Sequence, residues 1–200
     1  MEVNEIGNDT KQQHTIEAYL EMDSDASEQY EFYAGEVKLL PISRNQHKLV
    51  TRNILTSLAQ DLKGKDCKAA GSEVRVHVPK NTLFAHPDIS IVCGDAEYLN
   101  NDESILLNPA VLIEVLSPLT DAYDRGDKFN RYKDIASLKE YILVDPETIN
   151  ISVYTRNKHS DWKLKAYKSI DDTLSIDTVN ADIWFEDIYK DTKAIGSKKR

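Results

Sequence analysis

Two hundred residues, 40% of them apolar, suit one ordinary α/β domain with a single core. The net charge of −9 speaks against wrapping nucleic acid over a broad surface, because phosphates are held mainly by Lys and Arg. It leaves room for a local basic cleft and for acidic metal ligands.

The longest apolar run, Ala110 to Ile113, is too short to span a bilayer. The opening Met-Glu-Val-Asn-Glu lacks the basic start and apolar core of a signal peptide, so a cytoplasmic protein with no membrane segment is expected. Cys67 and Cys93 sit in no metal or redox spacing and read as two separate thiols in a reducing cytosol.

Residues 1–13 are polar and read as a mobile leader. Thr15 suits the N-cap of a short helix from Ile16 to Met22, and 23–27 reads as a loop. Tyr30–Tyr33 and Glu36–Leu40 flank Ala34-Gly35, which predicts a β-hairpin that Pro41 ends. The clearest helix runs from Gln46 to Leu62, with Val50, Ile54, Leu55, Leu58 and Leu62 at helical spacing. Ser43 or Asn45 can cap it, and Gly64 stops it.

Three strands are expected next. Glu73–Val78 alternates, with Val74, Val76 and Val78 on one face. Asp88–Val92 follows Pro87, and Ala110–Leu116 is apolar enough to be a central strand covered on both sides. A second helix is predicted from Arg125 to Ile135, then a strand over Tyr141–Asp145. A hairpin from Ile149–Tyr154 to Trp162–Tyr167 follows, and an aromatic-rich turn or helix spans Ile183–Ile188. This order implies an α/β fold, a mixed sheet flanked by helices with a hairpin at either end. Residues 14–190 form one domain, and 191–200 read as a disordered basic tail.

Glu114 carries the most information. It lies within a strand and shares its face with Leu112 and Leu116. An ionised carboxylate there costs several kcal/mol unless something compensates it. Metal coordination, a buried Arg or Lys partner, or an early strand end that leaves the group solvated all remain open. Asp88 opens the preceding strand, and two carboxylates converging from adjacent strands would hold a hard divalent ion such as magnesium through oxygen. No Gly-rich phosphate loop, zinc-spaced His pair or nucleophile elbow is present.

The chain resembles the Uma-type restriction endonuclease family, a branch of the PD-(D/E)XK nuclease superfamily. The matching residues are Tyr30-Glu31, Gly35-Glu36, Pro41, His47, Pro87-Asp88 and the run Glu114 to Thr120. Asp124 to Lys128, Tyr132 and Glu140 to Pro146 match further on, so the likeness covers about 15–190. It implies a restriction-endonuclease-like fold, DNA as substrate and Mg2+ (with Mn2+ a substitute) held by Asp88, Glu114 and the carbonyl of Val115.

The usual lysine two residues after the acid is here Leu116. Lys128 is the expected replacement, since Asp124, Lys128 and Tyr132 are spaced four apart and line one helical face. Its other reading is a surface pair with Asp124. Glu31 is either a third acid at the metal or a solvent-facing hairpin residue. His47 touches phosphate, caps its helix or is a satisfied structural histidine.

Arg125, Arg131, Lys48 and Arg52 are candidate phosphate contacts or a solvated face. Substrate-binding candidates are thus His47, Asp124 and Tyr132. The expected activity is phosphodiester hydrolysis, in a homodimer if two strands are cut. The alternatives are an inactive nuclease-fold module for nucleic-acid binding or assembly, and a structural domain in which Glu114 meets a buried cation.

Overall fold

The computed structural model describes residues 13–24 and 28–196. The expected leader, apart from Gln13, and the last four residues of the expected tail lie outside them.

Helix α1 (Ile16–Ser24) is capped by Thr15, whose Oγ1 accepts from the Ala18 amide at 3.2 Å. Strands β1 (Tyr30–Tyr33) and β2 (Glu36–Leu39) form the predicted hairpin. Ala34 and Gly35 both take positive φ, as a two-residue turn between right-twisted strands requires.

Helix α2 (Asn45–Asp61) then buries Val50, Ile54 and Leu58 completely, each worth about 1.5–3 kcal/mol. Neither Ser43 nor Asn45 caps it. Arg44 occupies the N-cap position and no side chain accepts there.

Strands β3 (Cys67–Gly71), β4 (Arg75–Val78), β5 (Leu83–Ala85), β6 (Ile89–Cys93), β7 (Ile105–Leu106), β8 (Val111–Val115) and β9 (Glu140–Val144) follow. Then come β10 (Ile151–Arg156), β11 (Trp162–Tyr167), β12 (Thr173–Ile176) and β13 (Ala181–Trp184). The central sheet has the order β11-β10-β9-β8-β6-β3, with β8 and β9 parallel and the other pairs antiparallel. A second sheet runs β2-β1-β5-β4-β7.

Alternation along β8 divides the molecule into layers. Val111, Ile113 and Val115 pack with α2 and with the β12–β13 hairpin. Leu112 and Leu116 pack with Val76, Val78 and the helical segment that carries Phe129 and Tyr132. Glu114 therefore faces the second layer, as its spacing implies.

The second helix departs from expectation. It opens at α3 (Asp121–Tyr123), widens into a π-helical segment over Asp124–Lys128, and finishes as α4 (Phe129–Tyr132). Ser117 starts it, accepting from the Asp121 amide at its carbonyl and from the Thr120 amide at Oγ. The wider i→i+5 turn brings Asp124, Lys128 and Tyr132 together on the buried side.

Strand β4 begins at Arg75, because Val74 is drawn into a turn in which its amide N–H donates a hydrogen bond to the Gly71 carbonyl. The half-buried β3 and the short β5 and β7 carry too little apolar alternation to stand out in sequence.

Helix α5 (Phe185–Ile188) closes the chain against α2. Beyond it Thr192 is buried, so order extends into the segment expected to be disordered. Cys67 and Cys93 are not separate thiols. They stand opposite each other in the β3–β6 register and form a disulfide. No helix among the described residues is long and apolar enough to cross a membrane.

Candidate active site

The β6–β8 register pairs Ile89 with Ile113 antiparallel, so one step further brings Asp88 opposite Glu114. Pro87 keeps the preceding residue extended and lets Asp88 stand just outside the strand. Asp88 Oδ2 accepts from the Val115 amide at 2.8 Å and lies 3.2 Å from His47 Nε2. The backbone of β8 and the first turn of α2 thus fix one carboxylate.

Glu114 is fixed from the other layer. Its Oε1 lies 2.9 Å from Lys128 Nζ and accepts from the Tyr132 hydroxyl at 3.2 Å. The same ammonium lies 2.8 Å from Glu31 Oε1 and 3.8 Å from Asp124 Oδ1. Glu31, Glu114, Asp124 and Lys128 are all buried. This overturns a solvent-facing Glu31 and a surface Lys128–Asp124 pair. Neither oxygen of Glu31 has a directed hydrogen-bond partner among the described residues, so the ion pair holds it.

Three carboxylates, those of Glu31, Glu114 and Asp124, surround a single ammonium, and the balance shows in the protonation of Glu114, Asp124 and Lys128. Burial pushes the Glu114 carboxyl well above the usual carboxylate range; Lys128 opposes this, and the charges of Asp124 and Asp88 add to it. Burial likewise raises Asp124, against Lys128. For Lys128 burial favours the neutral amine, but the charges of Glu114 and Glu31 outweigh it and hold the ammonium protonated. The cluster sets three carboxylates against one ammonium, so Glu114 and Asp124 hold their protons more readily than free carboxyls.

Asp88, Glu114, Asp124 and Lys128 line an open cleft of about 530 Å3, with His47, Arg44 and Val115 in its wall. The donors suit a hard cation. Asp88 and Glu114 supply carboxylate oxygen, the Val115 carbonyl is adjacent, and the cluster's excess charge is negative. No three His, Cys, Asp or Glu side chains among the described residues form a ready-made cation cage. Lys128 already takes the position between Glu31 and Glu114.

All eight residues expected at the site, including Tyr132 and Val115, thus fall in one neighbourhood. His47 meets Asp88. The expected phosphate contacts do not come together there. Arg125 pairs with Asp121, Arg131 stacks on Tyr33 at 3.4 Å, and Lys48 and Arg52 lie on the exposed side of α2.

Arg44 lines the cleft instead. Its place at the entry to α2 was the available signal, though no spacing distinguishes it. Also unforeseen is a buried network beneath Pro87. Asp23 Oδ2 binds Arg75 at 3.0 Å and His86 Nε2 at 3.2 Å, and the His86 ring meets the Ser72 carbonyl through Nδ1.

A mixed sheet covered on both faces, with acids converging from neighbouring strands, defines a restriction-endonuclease-like fold. The chain belongs to the Uma2 family, described as "Putative restriction endonuclease", whose sequence model matches residues 16–187. It is 26% identical over 174 residues to the uncharacterized protein slr1290 of Synechocystis sp., covering 87% of this chain and 90% of that one. A second uncharacterized Synechocystis protein, sll1609, is 25% identical over 150 residues, covering 75% of this chain and 85% of that one. The fold matches the crystal structure of a "putative nuclease belonging to DUF820" from Anabaena variabilis with a TM-score of 0.72. That match has 17% sequence identity and covers 88% of this chain and 97% of that one.

Proposed function

We propose that this protein is a metal-dependent endonuclease that hydrolyses phosphodiester bonds in DNA. The observation that carries the reading is the pairing of Asp88 with Glu114 across β6 and β8, with the Lys128 ammonium 2.9 Å from Glu114. Membership of a family described as restriction endonucleases supports the same substrate class.

Asp88, Glu114 and the Val115 carbonyl would hold Mg2+, or Mn2+ in its place. When bound, such an ion lowers the pKa of water and offsets charge on the phosphoryl oxygens. Hydrolysis adds a water oxygen to phosphorus, breaks one P–O ester bond and releases a proton. Lys128 stays protonated, so it acts by charge and by orienting the water rather than as a base. Glu114 and Asp124, raised by burial, are stronger proton acceptors than free carboxylates. His47 steadies Asp88 in the orientation that faces the cleft.

The direct test is cleavage of plasmid DNA by the purified protein in Mg2+, with EDTA and with Asp88→Asn as controls. Cutting lost in both controls supports the reading, and cutting retained in both refutes it.

A second reading has an observation of its own. Lys128 already neutralises Glu114, and among the described residues no three-acid cage is preformed, as a structural or binding module would have it. Such a module would show no thermal stabilisation by Mg2+ or Mn2+, whereas a metal enzyme is stabilised as RT ln(1 + [L]/Kd).

A further inference from the structure

Ile42, at 83% exposure, and Leu119, at 73%, are the two most exposed large apolar side chains among the described residues. Both line the cleft that holds Asp88 and Glu114. They come from separate segments, one between β2 and α2 and the other between β8 and α3. Each follows a proline, Pro41 and Pro118, whose fixed φ limits the freedom of the segment to fold its apolar residue inward.

The charge of the same wall is unsuited to gripping a phosphate backbone. Among the described residues, Arg44 and Lys128 are the only arginine and lysine that line the cleft, and Lys128 is engaged by Glu31 and Glu114. Asp145 and Glu147 add acidity to the cleft wall, where Asp121 is balanced by Arg125. A polyanion drawn into this cleft must gain affinity from contacts that are not ionic, and the apolar faces of nucleobases offer them.

We propose that Ile42 and Leu119 wedge against the bases flanking the reacting phosphodiester, so that the preferred substrate is a single or locally opened strand. This rests on the nuclease reading above. Aliphatic side chains inserted at a base step unstack it, which costs least where pairing is already absent and adds the cost of opening the pair in an intact duplex.

The test uses the full chain and oligonucleotides carrying 2-aminopurine, whose fluorescence rises on unstacking. In EDTA, the wild-type protein should raise the fluorescence of the single strand. Ile42→Ala/Leu119→Ala should lose that rise and bind about ten-fold or more weakly, the effect of removing large buried apolar side chains. The slope of log affinity against log salt should not change, because no phosphate contact is removed. In Mg2+, single-stranded and bubble substrates should be cut faster than a perfect duplex, mainly through KM.

Equal cutting of duplex and single strand, with the double variant unaffected, overturns the proposal. So does a wild-type dimer that the double variant dissolves in sedimentation, which assigns the pair to self-association. A fluorescence rise that depends on both residues, with no cutting in any metal, upholds the wedge and defeats the nuclease reading. Cutting without the rise does the reverse.

Discussion

Lys128 Nζ lies 2.9 Å from Glu114 Oε1, although the two residues come from different layers of the fold. In the superfamily pattern the lysine stands two residues after the acid on the same strand, where this chain has Leu116. Leu116 is buried with Phe129 and Tyr132, on the same face as Glu114. The ammonium thus arrives from the helix at a position that a strand lysine would approach from beside the acid. The π-helical turn over Asp124–Lys128 is what aims it there.

Lys128→Met should therefore reduce cleavage by about 10²-fold or more, the usual cost of losing one preorganised charge at a reacting centre. Leu116→Lys added to that variant should restore part of the rate. Single-turnover kinetics on both variants measure this. If the double variant cuts no better than Lys128→Met, the two positions are not equivalent.

The acidic cluster sets a pH dependence whose sign follows from burial. Glu114 is raised above its ordinary value of 4.5, so the folded protein holds a proton that the unfolded chain releases. Stability from this group is fully present below pH 4.5 and is lost as pH rises through the folded value. Glu114→Gln removes the proton exchange, so its metal-free stability should vary less with pH between 4.5 and neutrality than that of the wild type. Urea unfolding at several pH values in EDTA measures the difference, and parallel profiles would refute it.

A cation entering the cluster should displace that proton. Binding of Mg2+ or Mn2+ should tighten as pH rises, and calorimetry in buffers of different ionisation enthalpy should register proton release. An equal heat in every buffer would mean that the ion binds away from Glu114 and Asp124.

The sequence exposed the strand and its acid more fully than the packing around them. Period-two alternation put Glu114 on the face of Leu112 and Leu116, and the helical spacing in α2 named Val50, Ile54 and Leu58 as core. The Asp88–Glu114 meeting was readable because β6 and β8 are neighbours in the central sheet, and the short β7 between them in sequence, which belongs to the other sheet, does not separate them there. The π-helical widening was not, since Asp-Arg-Gly-Asp-Lys looks like an ordinary helix start shifted along the chain. Glu31 looked equally suited to solvent, because a hairpin's inner and outer faces differ only in what later packs on them. The disulfide was hidden by a separation of 26 residues that only the β3–β6 register brings together.

The loop that this disulfide closes contains Asp88, but the bond itself sits at the other end of β6, since Cys93 ends that strand and Asp88 precedes its start. By the loop-entropy argument, a closed loop of this length contributes about 3 kcal/mol. Reduction or Cys67→Ser/Cys93→Ser should lower Tm by about 6–12 °C for a chain of this size and leave the cleavage rate unchanged at low temperature. Calorimetry with and without reductant tests the first part. A cleavage rate that falls with the thiols reduced would contradict the second.

The last prediction concerns Asp23, which ties the end of α1 to the Pro87–Asp88 approach. Its Oδ1 accepts from the Tyr30 amide at 2.9 Å, and its Oδ2 meets both Arg75 and His86. Burial alone would raise its pKa. The His86 and Tyr30 hydrogen bonds and the Arg75 charge prevail and hold it below 3.8, so its contribution persists above that pH and is lost as pH falls through the folded value.

Asp23→Ala leaves Arg75 buried without its counter-charge and should cost about 3–5 kcal/mol, more than Asp23→Asn, which keeps a hydrogen-bonding oxygen. Both variants should lose the acid-side drop in stability that the wild type shows. Because His86 precedes Pro87 and Asp88, the substitutions should also slow cleavage, with Asp23→Asn the milder. Equal stability of the two variants at neutral pH would mean that Arg75 finds another partner, and that the network does not set the position of Asp88.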